Sequence, residues 1–410
     1  MTRIQDNREL RTMVAIDIAK VRNDVLIEPP GKKRYRLQIT NERTDHDRLL
    51  QHLVELDAPV SACFEATGNY HRPLAWRLLT AGFDVHLISS VAAARTREAL
   101  HNGWDKNDPK DAQVMLYMLK AGQVQRYYDP LMQKTNDWQE LSKTHEVISK
   151  AKTETLHRLQ THYFPLYFPE VDKFRHNSRA AWFFRFLGAF PTPATITALS
   201  SKDFIEAAWD LVGRKVSKTQ LLKDIYATAE SSIALPIPSD SVAITMYRLV
   251  IDQMLQLISH RDQIEALSIQ SFGDHADFHR LQQIPGIGPV HALTILAEAG
   301  DLRRFDHYRQ FLKFCGFDLA THQSGQFRGQ SKLSKYGNAR LRRAFWMAAQ
   351  IAIRQRENGF RDKFQRYTAR DRDNRDLRRK AYTAVAAKMA RVVYSIIKHE
   401  TDYRPFYGVR

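Results

Sequence analysis

The chain is poor in cysteine, in long apolar runs and, over one stretch, in acid. Only two of its 410 residues are cysteines. Cys63 sits in SACFEA and Cys315 in FLKFCGF, settings that predict two small buried hydrophobes rather than a disulfide or a zinc site. No apolar run approaches the ~18 residues that span a membrane, so no transmembrane segment is expected. The opening MTRIQDNREL is polar and predicts no secretion leader; a cytoplasmic protein is the expectation. Between Leu319 and Arg356 there is no aspartate or glutamate. The length exceeds what one small core organises, so two or three domains are expected.

Positive charge is plentiful. Lysine and arginine number 62 against 45 acids, a net charge of +17, and the sequence pI is about 9.8. Such a surplus points to a polyanionic partner, most commonly nucleic acid. Hydrophobic residues at 43% rule out global disorder.

Residues 11–125 read as α/β. The runs TMVAIDIA, NDVLIEP and KRYRLQIT, the last two joined by the turn Pro29–Gly31, predict a three-stranded antiparallel meander. A helix over 43–57 follows, with Leu49, Leu50, Leu53 and Leu56 on one face. Strand 61–66, helix 72–81, strand 84–89, helix 91–99 and a helix starting near Asp108 come next. The order βββαβαβα matches an RNase H/RuvC-like layout, in which the first and fourth strands are neighbours and carry acids at their ends. Residues 126–275 read as a helical, coiled-coil middle. Its seams run through Trp138, Leu141, His145, Ile148, Lys152, Thr155 and Leu159, then Ala243, Met246, Val250, Leu257, Ile264 and Leu267. Two long helices around a smaller helical insert predict an antiparallel or dimer-forming stalk. Residues 276–410 read as a mostly α C-terminal domain. It opens on IPGIGPVHALTILAE, a helix-hairpin-helix-like motif in which Gly286 and Gly288 permit a tight turn before a helix N-terminus that could bind a phosphate.

Four acids suggest chemistry. Asp17 ends the apolar strand MVAI, and Glu65 lies just before Gly68 in FEATGNY. Two carboxylates at the ends of neighbouring buried strands repel, and a divalent cation removes that cost. Hard oxygen ligands suit Mg²⁺, with Mn²⁺ as the alternative. Asp108 and Asp111, three apart at the start of a helix with an apolar side, share one face. Asp108-Pro109 also reads as an N-cap followed by an N1 proline, with Asp111 at N3. Alongside Asp17 and Glu65, metal binding is the better reading, and Asp105 competes for one of the roles.

Ser324 heads the acid-free stretch, which holds Arg328, Lys332, Lys335, Arg340, Arg342, Arg343, Arg354 and Arg356. A one-sign block beside an amphipathic helix is a phosphate-contacting surface. A serine there could attack a phosphodiester if a base or metal activates it. Ser331 and Ser334 are equal candidates on composition.

At these residues the chain resembles the DEDD-type transposases of bacterial insertion sequences. The matching segments are DIAK at Asp17, FEATGNYH at Glu65, KNDPKDA at 106–112, IPGIGPVHALTILAEAGD, FCGF, QSGQ and LSKYGNARLRRAF. The resemblance implies a RuvC-like domain whose tetrad Asp17, Glu65, Asp108 and Asp111 holds Mg²⁺, and a C-terminal domain whose Ser324 forms a 5′-phosphoserine link with DNA. Asn107 stands where the family more often has threonine, and the pattern favours Asp108 over Asp105. The resemblance further implies DNA as substrate, a structured noncoding guide RNA, and a dimer or tetramer with composite sites. A metal-dependent, structure-selective nuclease of the Holliday-junction kind would share the acids without needing Ser324. A non-catalytic nucleic-acid scaffold would need neither.

Overall fold

The structure, a computed structural model, describes residues 10–101, 108–175, 180–212, 217–320, 323–324, 327–329, 332–356 and 358–405. Asp105 and Ser331 lie outside these residues, and Asp108, Ser324 and Arg328 are placed through their backbone. The chain divides into two compact units, Met1–Lys134 and Thr135–Arg410. The middle and C-terminal stretches, read from sequence as separate, thus belong to one unit.

The first unit is a mixed α/β sheet domain consistent with an RNase H-like fold. Strands β1 (Thr12–Asp17), β2 (Arg22–Glu28) and β3 (Tyr35–Thr40) form the expected meander. Helix α1 (Arg43–Glu55) leads to β4 (Val60–Glu65), α2 (His71–Thr80), β5 (Asp84–Ile88), α3 (Ser90–His101) and α4 (Asp108–Lys120). The sheet order is β3-β2-β1-β4-β5-β6, with β4 parallel to β1 and β5 parallel to β4. Strand β6 (Gln125–Arg126) pairs with β5; two exposed residues carry no periodicity, so the sequence did not reveal it.

The pleat sends alternate residues to opposite faces. Val14, Ile16, Val25, Ile27 and Phe64 bury against Leu49 and Leu53 of α1 and Leu74 and Leu78 of α2. Met13, Ala15, Leu26, Cys63 and Ile88 bury instead against Ala93 of α3 and Ala112, Met115, Met118 and Leu119 of α4. Both faces are covered, which is why β1 and β4 read as continuous apolar runs.

The second unit is mostly helical. A long helix α5 (Asn136–Arg158) leads through a π-helical turn, Leu159–Tyr163, into the insert. The insert holds α6 (Phe164–Tyr167), α7 (Ala181–Ala189), α8 (Pro193–Thr197), α9 (Ser201–Ala208) and α10 (Lys218–Glu230). Helix α11 (Val242–Ser271) returns antiparallel to α5. Trp138 meets Phe272 at 4.6 Å between ring centroids, His145 lies 3.6 Å from Glu265, and Tyr163 stacks on Tyr247 at 5.1 Å.

The stalk is therefore an antiparallel pair within one chain. The expected seam residues Lys152 and Thr155 on α5, and Leu159 at the start of the π-helical turn, are buried. On α11 the expected seam is partly wrong, because Met246 and Leu267 are exposed. The buried stripe is Ile244, Tyr247, Ile251, Met254 and Ile258. These residues wall an aromatic core with Phe164, Phe168, Phe183, Phe184, Phe186 and Phe204. Packing of the insert, not a heptad seam, sets the register.

Helices α12 (Ala276–Gln282) and α13 (Pro289–Ala299) flank the glycine turn. Then follow α14 (Tyr308–Phe314), a β-ribbon, α15 (Ala339–Ala352), α16 (Gly359–Thr368) and α17 (Arg375–His399). Gly286 has φ +89, and a Cβ there would meet Ala348 O and lie 2.8 Å from Ala352 N on α15. The glycine is required by close packing of the turn on α15. Gly286→Ala is expected to destabilise the protein by roughly 2–4 kcal/mol, since both φ and space oppose a side chain. Gly288 is open to substitution by space and backbone, with nothing within 4 Å of a built Cβ, so Gly288→Ala should unfold close to wild type in urea.

Candidate active site

Strand β1 ends at Asp17 and β4 at Glu65. Their parallel register pairs Ile16 with Phe64, so the two acids are the next positions at the same end of adjacent strands, about 4.8 Å apart in the pairing direction. Each lies two residues beyond a member of the α4-covered cluster, Ala15 or Cys63. Both carboxylates therefore project toward the α4 face.

Two contacts set the direction of α4. Lys120 at its end pairs with Glu28, which is the register partner of Met13 at the start of β1. Cys63 Sγ lies 3.6 Å from Met115 O at mid-helix. The helix thus runs antiparallel to β1. Four strand residues from Met13 to Asp17 climb about 13 Å, and nine helical residues from Lys120 back to Asp111 climb about 13.5 Å. That match brings Asp111, 9% exposed, level with the strand ends bearing Asp17 and Glu65. The backbone of Asp108 begins the same helix.

Asp111 has a partner that sequence reading missed. Arg97 of α3 donates from Nε to its Oδ1 at 2.6 Å, with Nη2 also 2.6 Å from that oxygen. Asp24 was missed as well. It is the register partner of Asp17 and so shares its face, with Oδ1 accepting a 2.8 Å bond from Gln38. The opening acid of NDVLIE, opposite Asp17 in the meander, was a usable signal for Asp24. Arg97, one of several arginines near α3, had none.

Among the described residues, no group of three or more His, Cys, Asp or Glu side chains is gathered closely enough to hold a metal ion. Asp17 and Glu65 share one end of the α4-covered sheet face, and Arg97 supplies positive charge at Asp111. The available donors are hard carboxylate oxygens, which fit Mg²⁺ or Mn²⁺. Cys63 is on the same face, but burial pushes its thiol far above the ordinary range, so it offers no thiolate ligand. Replacing Arg97 with methionine should cost about 1–2 kcal/mol of stability without metal, because a mostly buried carboxylate loses its partner. The same variant should bind Mn²⁺ more tightly in calorimetry. Unchanged Mn²⁺ affinity would show that Arg97 and a cation do not compete for Asp111.

The stretch beyond α14 is a β-ribbon. Leu319–Ala320 (β7) pairs antiparallel with Lys332–Leu333 (β10), and inside it Gln323–Ser324 (β8) pairs with Phe327–Arg328 (β9). Ser324 is opposite Phe327 in the innermost described pair. Below the ribbon Ser334 N donates to Asp318 O at 2.8 Å, and Asn338 N to Phe314 O at 2.7 Å. Asn338 then caps α15, its side chain accepting from Arg340 N and Leu341 N.

The basic candidates divide by environment. Arg340 is engaged within the protein: Nη1 donates to Glu298 at 2.6 Å, Nη2 to Ser142 at 3.0 Å, and Nε is 2.6 Å from Glu146. It ties α15 to α13 and α5. Arg342 donates from Nη1 to Lys335 O at 3.2 Å. Lys332 and Lys335 are exposed, and Arg343 is exposed with its Nη1 3.8 Å from Glu146. A second basic cluster comes from α16 and α17. Lys363 and Lys388 are held below the usual lysine range, by burial first and then by each other's neighbourhood of Arg366 and Arg391.

No helix among the described residues is long and apolar enough to cross a membrane. Both cysteines are free and buried, as expected.

The comparisons with known proteins fall on the same two regions. A family model of IS110 DEDD transposases matches residues 14–169, the span holding the acids. A second, described as the transposase IS116/IS110/IS902 family, matches 278–365, from α12 through the ribbon into α16. A family 20 transposase of Pseudomonas aeruginosa is 28% identical over 190 residues, 45% of this chain and 52% of that protein. The transposase for insertion sequence element IS1111A of Coxiella burnetii is 31% identical over 128 residues, 31% of this chain and 35% of that protein. A mini-circle transposase for IS117 of Streptomyces coelicolor is 26% identical over 338 residues, 77% of this chain and 78% of that protein. The chain thus spans about half the length of the first of these relatives and about a third of the second. With both models matched in order, and with the sheet carrying acids where the first model falls, the chain belongs to the DEDD-type IS110/IS116 transposase family.

Proposed function

We propose that the protein is a DNA transposase that cuts and exchanges strands through a covalent serine intermediate. The observation that supports this reading is that Asp17 and Glu65 end adjacent parallel strands, on the sheet face that α4 covers, in a chain of this family. On this reading the two strand-end carboxylates, with Asp108 and Asp111 from α4, hold Mg²⁺ or Mn²⁺. A bound divalent ion would polarise the scissile phosphate and withdraw its charge. Ser324 Oγ attacks phosphorus, the new O–P bond replaces the bond to the 3′ oxygen, and that oxygen leaves with a proton. The serine proton passes to a base, for which the carboxylates are the available groups. The phosphoserine ester keeps the bond energy, so a 3′ hydroxyl can reverse the step and restore the serine.

A dimer or tetramer with sites shared between subunits belongs to the same reading. The basic ribbon flank Arg328, Lys332, Lys335, Arg342 and Arg343, and the turn at Gly286 and Gly288, are the proposed nucleic-acid surface. DNA is the substrate, and a structured guide RNA a further ligand the +17 charge would accommodate. The test is to trap a protein–DNA adduct with an element end that carries a 3′-bridging phosphorothiolate at the scissile phosphate, whose thiol leaving group does not reverse the step, and to map the linked residue by mass spectrometry. Cleavage with no adduct on any serine would favour the nuclease reading.

The crowded cations of α16 and α17 give an independent check on the polyanion partner. Phosphates favour the charged form of Lys363 and Lys388, whose pKa values the free protein holds down. Duplex binding should therefore take up protons in the alkaline window between those lowered values and the ordinary ~10.4 of lysine. Calorimetry in buffers of different ionisation enthalpy measures this, and Lys363→Met with Lys388→Met should remove it.

A further inference from the structure

At the foot of the β-ribbon is a cleft of about 360 Å³, lined by Phe317, Leu333, Arg342, Arg343, Trp346 and Thr383, with Ala339 at its edge. Its walls come from four elements: the chain before β7, strand β10, helix α15 and helix α17. The volume is at the small end of ligand sites, ~300–1,000 Å³. That leaves room for one base with its sugar and excludes a helix or a strand of peptide.

The lining is chemically lopsided. It presents two aromatic rings and two guanidinium groups on consecutive positions, and no carboxylate. Phe317 is buried and forms part of the core, while Trp346 is only partly buried against it. Among described ring contacts Trp346 meets only Tyr382, at 5.8 Å and T-shaped, so no aromatic ring stacks flat on the indole. Arg342 is held through Nη1, which donates to Lys335 O at 3.2 Å and to Cys315 O at 3.4 Å. Arg343 is the more exposed of the pair, 63% by side chain. An indole beside two cations is how nucleic-acid-binding proteins hold an unstacked nucleotide: base on the π face, phosphate at the guanidinium. The lining itself offers no counter-charge to a peptide or metabolite carrying a cation; Glu146, 3.8 Å from Arg343 Nη1, is outside it.

We propose that this cleft receives one unpaired nucleotide of the bound nucleic acid, its base against Trp346 and its phosphate at Arg342 and Arg343. The idea rests on the reading of the protein as a nucleic-acid recombinase and adds to it a site for a base that pairing has released. Leu333 belongs both to the cleft and to β10 of the ribbon bearing Ser324. Seating a base there would fix the ribbon's position on the strand.

The test uses the full chain and four fluorescein-labelled probes: a DNA duplex with one bulged 2-aminopurine, the same duplex fully paired, and the RNA counterparts of both. The bulged probe should bind at least ~10-fold more tightly than its paired partner, with its 2-aminopurine emission quenched by stacking. Preference on the DNA arm assigns the cleft to substrate, preference on the RNA arm to a guide, and either supports the proposal. Trp346→Leu should abolish preference and quenching while leaving paired-duplex affinity unchanged. Arg343→Gln, at an exposed position that leaves the core intact, should weaken bulge binding several-fold. Equal affinity for bulged and paired probes on both arms overturns the proposal, as does a preference that survives in folded Trp346→Leu. The recombinase reading fails separately, if no serine adduct forms with either DNA.

Discussion

Replacing Asp17 with asparagine is expected to lower DNA cleavage by roughly 10³-fold or more, equivalent to about 4 kcal/mol of transition-state stabilisation. The change keeps the shape of the side chain and removes one charge. Asp17 sits at a strand end rather than within the sheet core, so the melting temperature should stay close to wild type. Glu65→Gln should behave alike, because the register puts it beside Asp17. Asp111→Asn should differ in one respect: it also loses the charge that Arg97 binds, so a modest loss of stability should accompany the loss of cleavage. The measurement is single-turnover cleavage of a labelled element end in Mg²⁺ and in Mn²⁺, with circular dichroism as the control. Wild-type rates in Asp17→Asn would remove the sheet-end carboxylates from the chemistry and leave a basic nucleic-acid binder.

Ser324→Ala should eliminate the covalent adduct and reduce strand exchange by roughly 10⁴–10⁶-fold, the loss typical of deleting a nucleophile. Binding of DNA should change little, since a single hydroxyl in a basic ribbon adds little to phosphate affinity. Ser334→Ala is the internal control. Ser334 N holds the ribbon's base through Asp318 O, a bond that alanine retains, so the adduct should persist. An adduct in Ser324→Ala, or its loss in Ser334→Ala alone, would transfer the nucleophile's role to another residue.

Most of the first unit was legible in its sequence because each strand carries a strong local signal. TMVAID and VSACFE are continuous apolar runs ending in acid, and their adjacency follows from the layout once the meander is recognised. The pairing of Asp111 with Arg97 was not legible. It joins two helices whose relation depends on where the sheet puts them, and nothing near Arg97 marks it among its neighbours. The stalk shows a second limit. On α11 several apolar positions fit a 3-4 pattern, and only the aromatic insert decides that Tyr247 and not Met246 faces inward. Arg340 shows a third. In sequence it belongs to a phosphate-facing block, yet Glu298, Glu146 and Ser142 come from distant segments to meet it. Charge counts along a chain do not register such long-range compensation.

Gly316 and Gly337 interlock where the ribbon leaves the helices. A Cβ at Gly337 would lie 2.6 Å from both Gly316 N and Phe314 O. The two chain ends of the excursion are thus stapled together before any strand pairing begins. Once its ends are joined, a loop can lengthen or shorten at a cost that grows only with the logarithm of its size. The excursion bearing Ser324 is in that sense a detachable finger. Related chains could change its length and tip while the helical palm stays as it is.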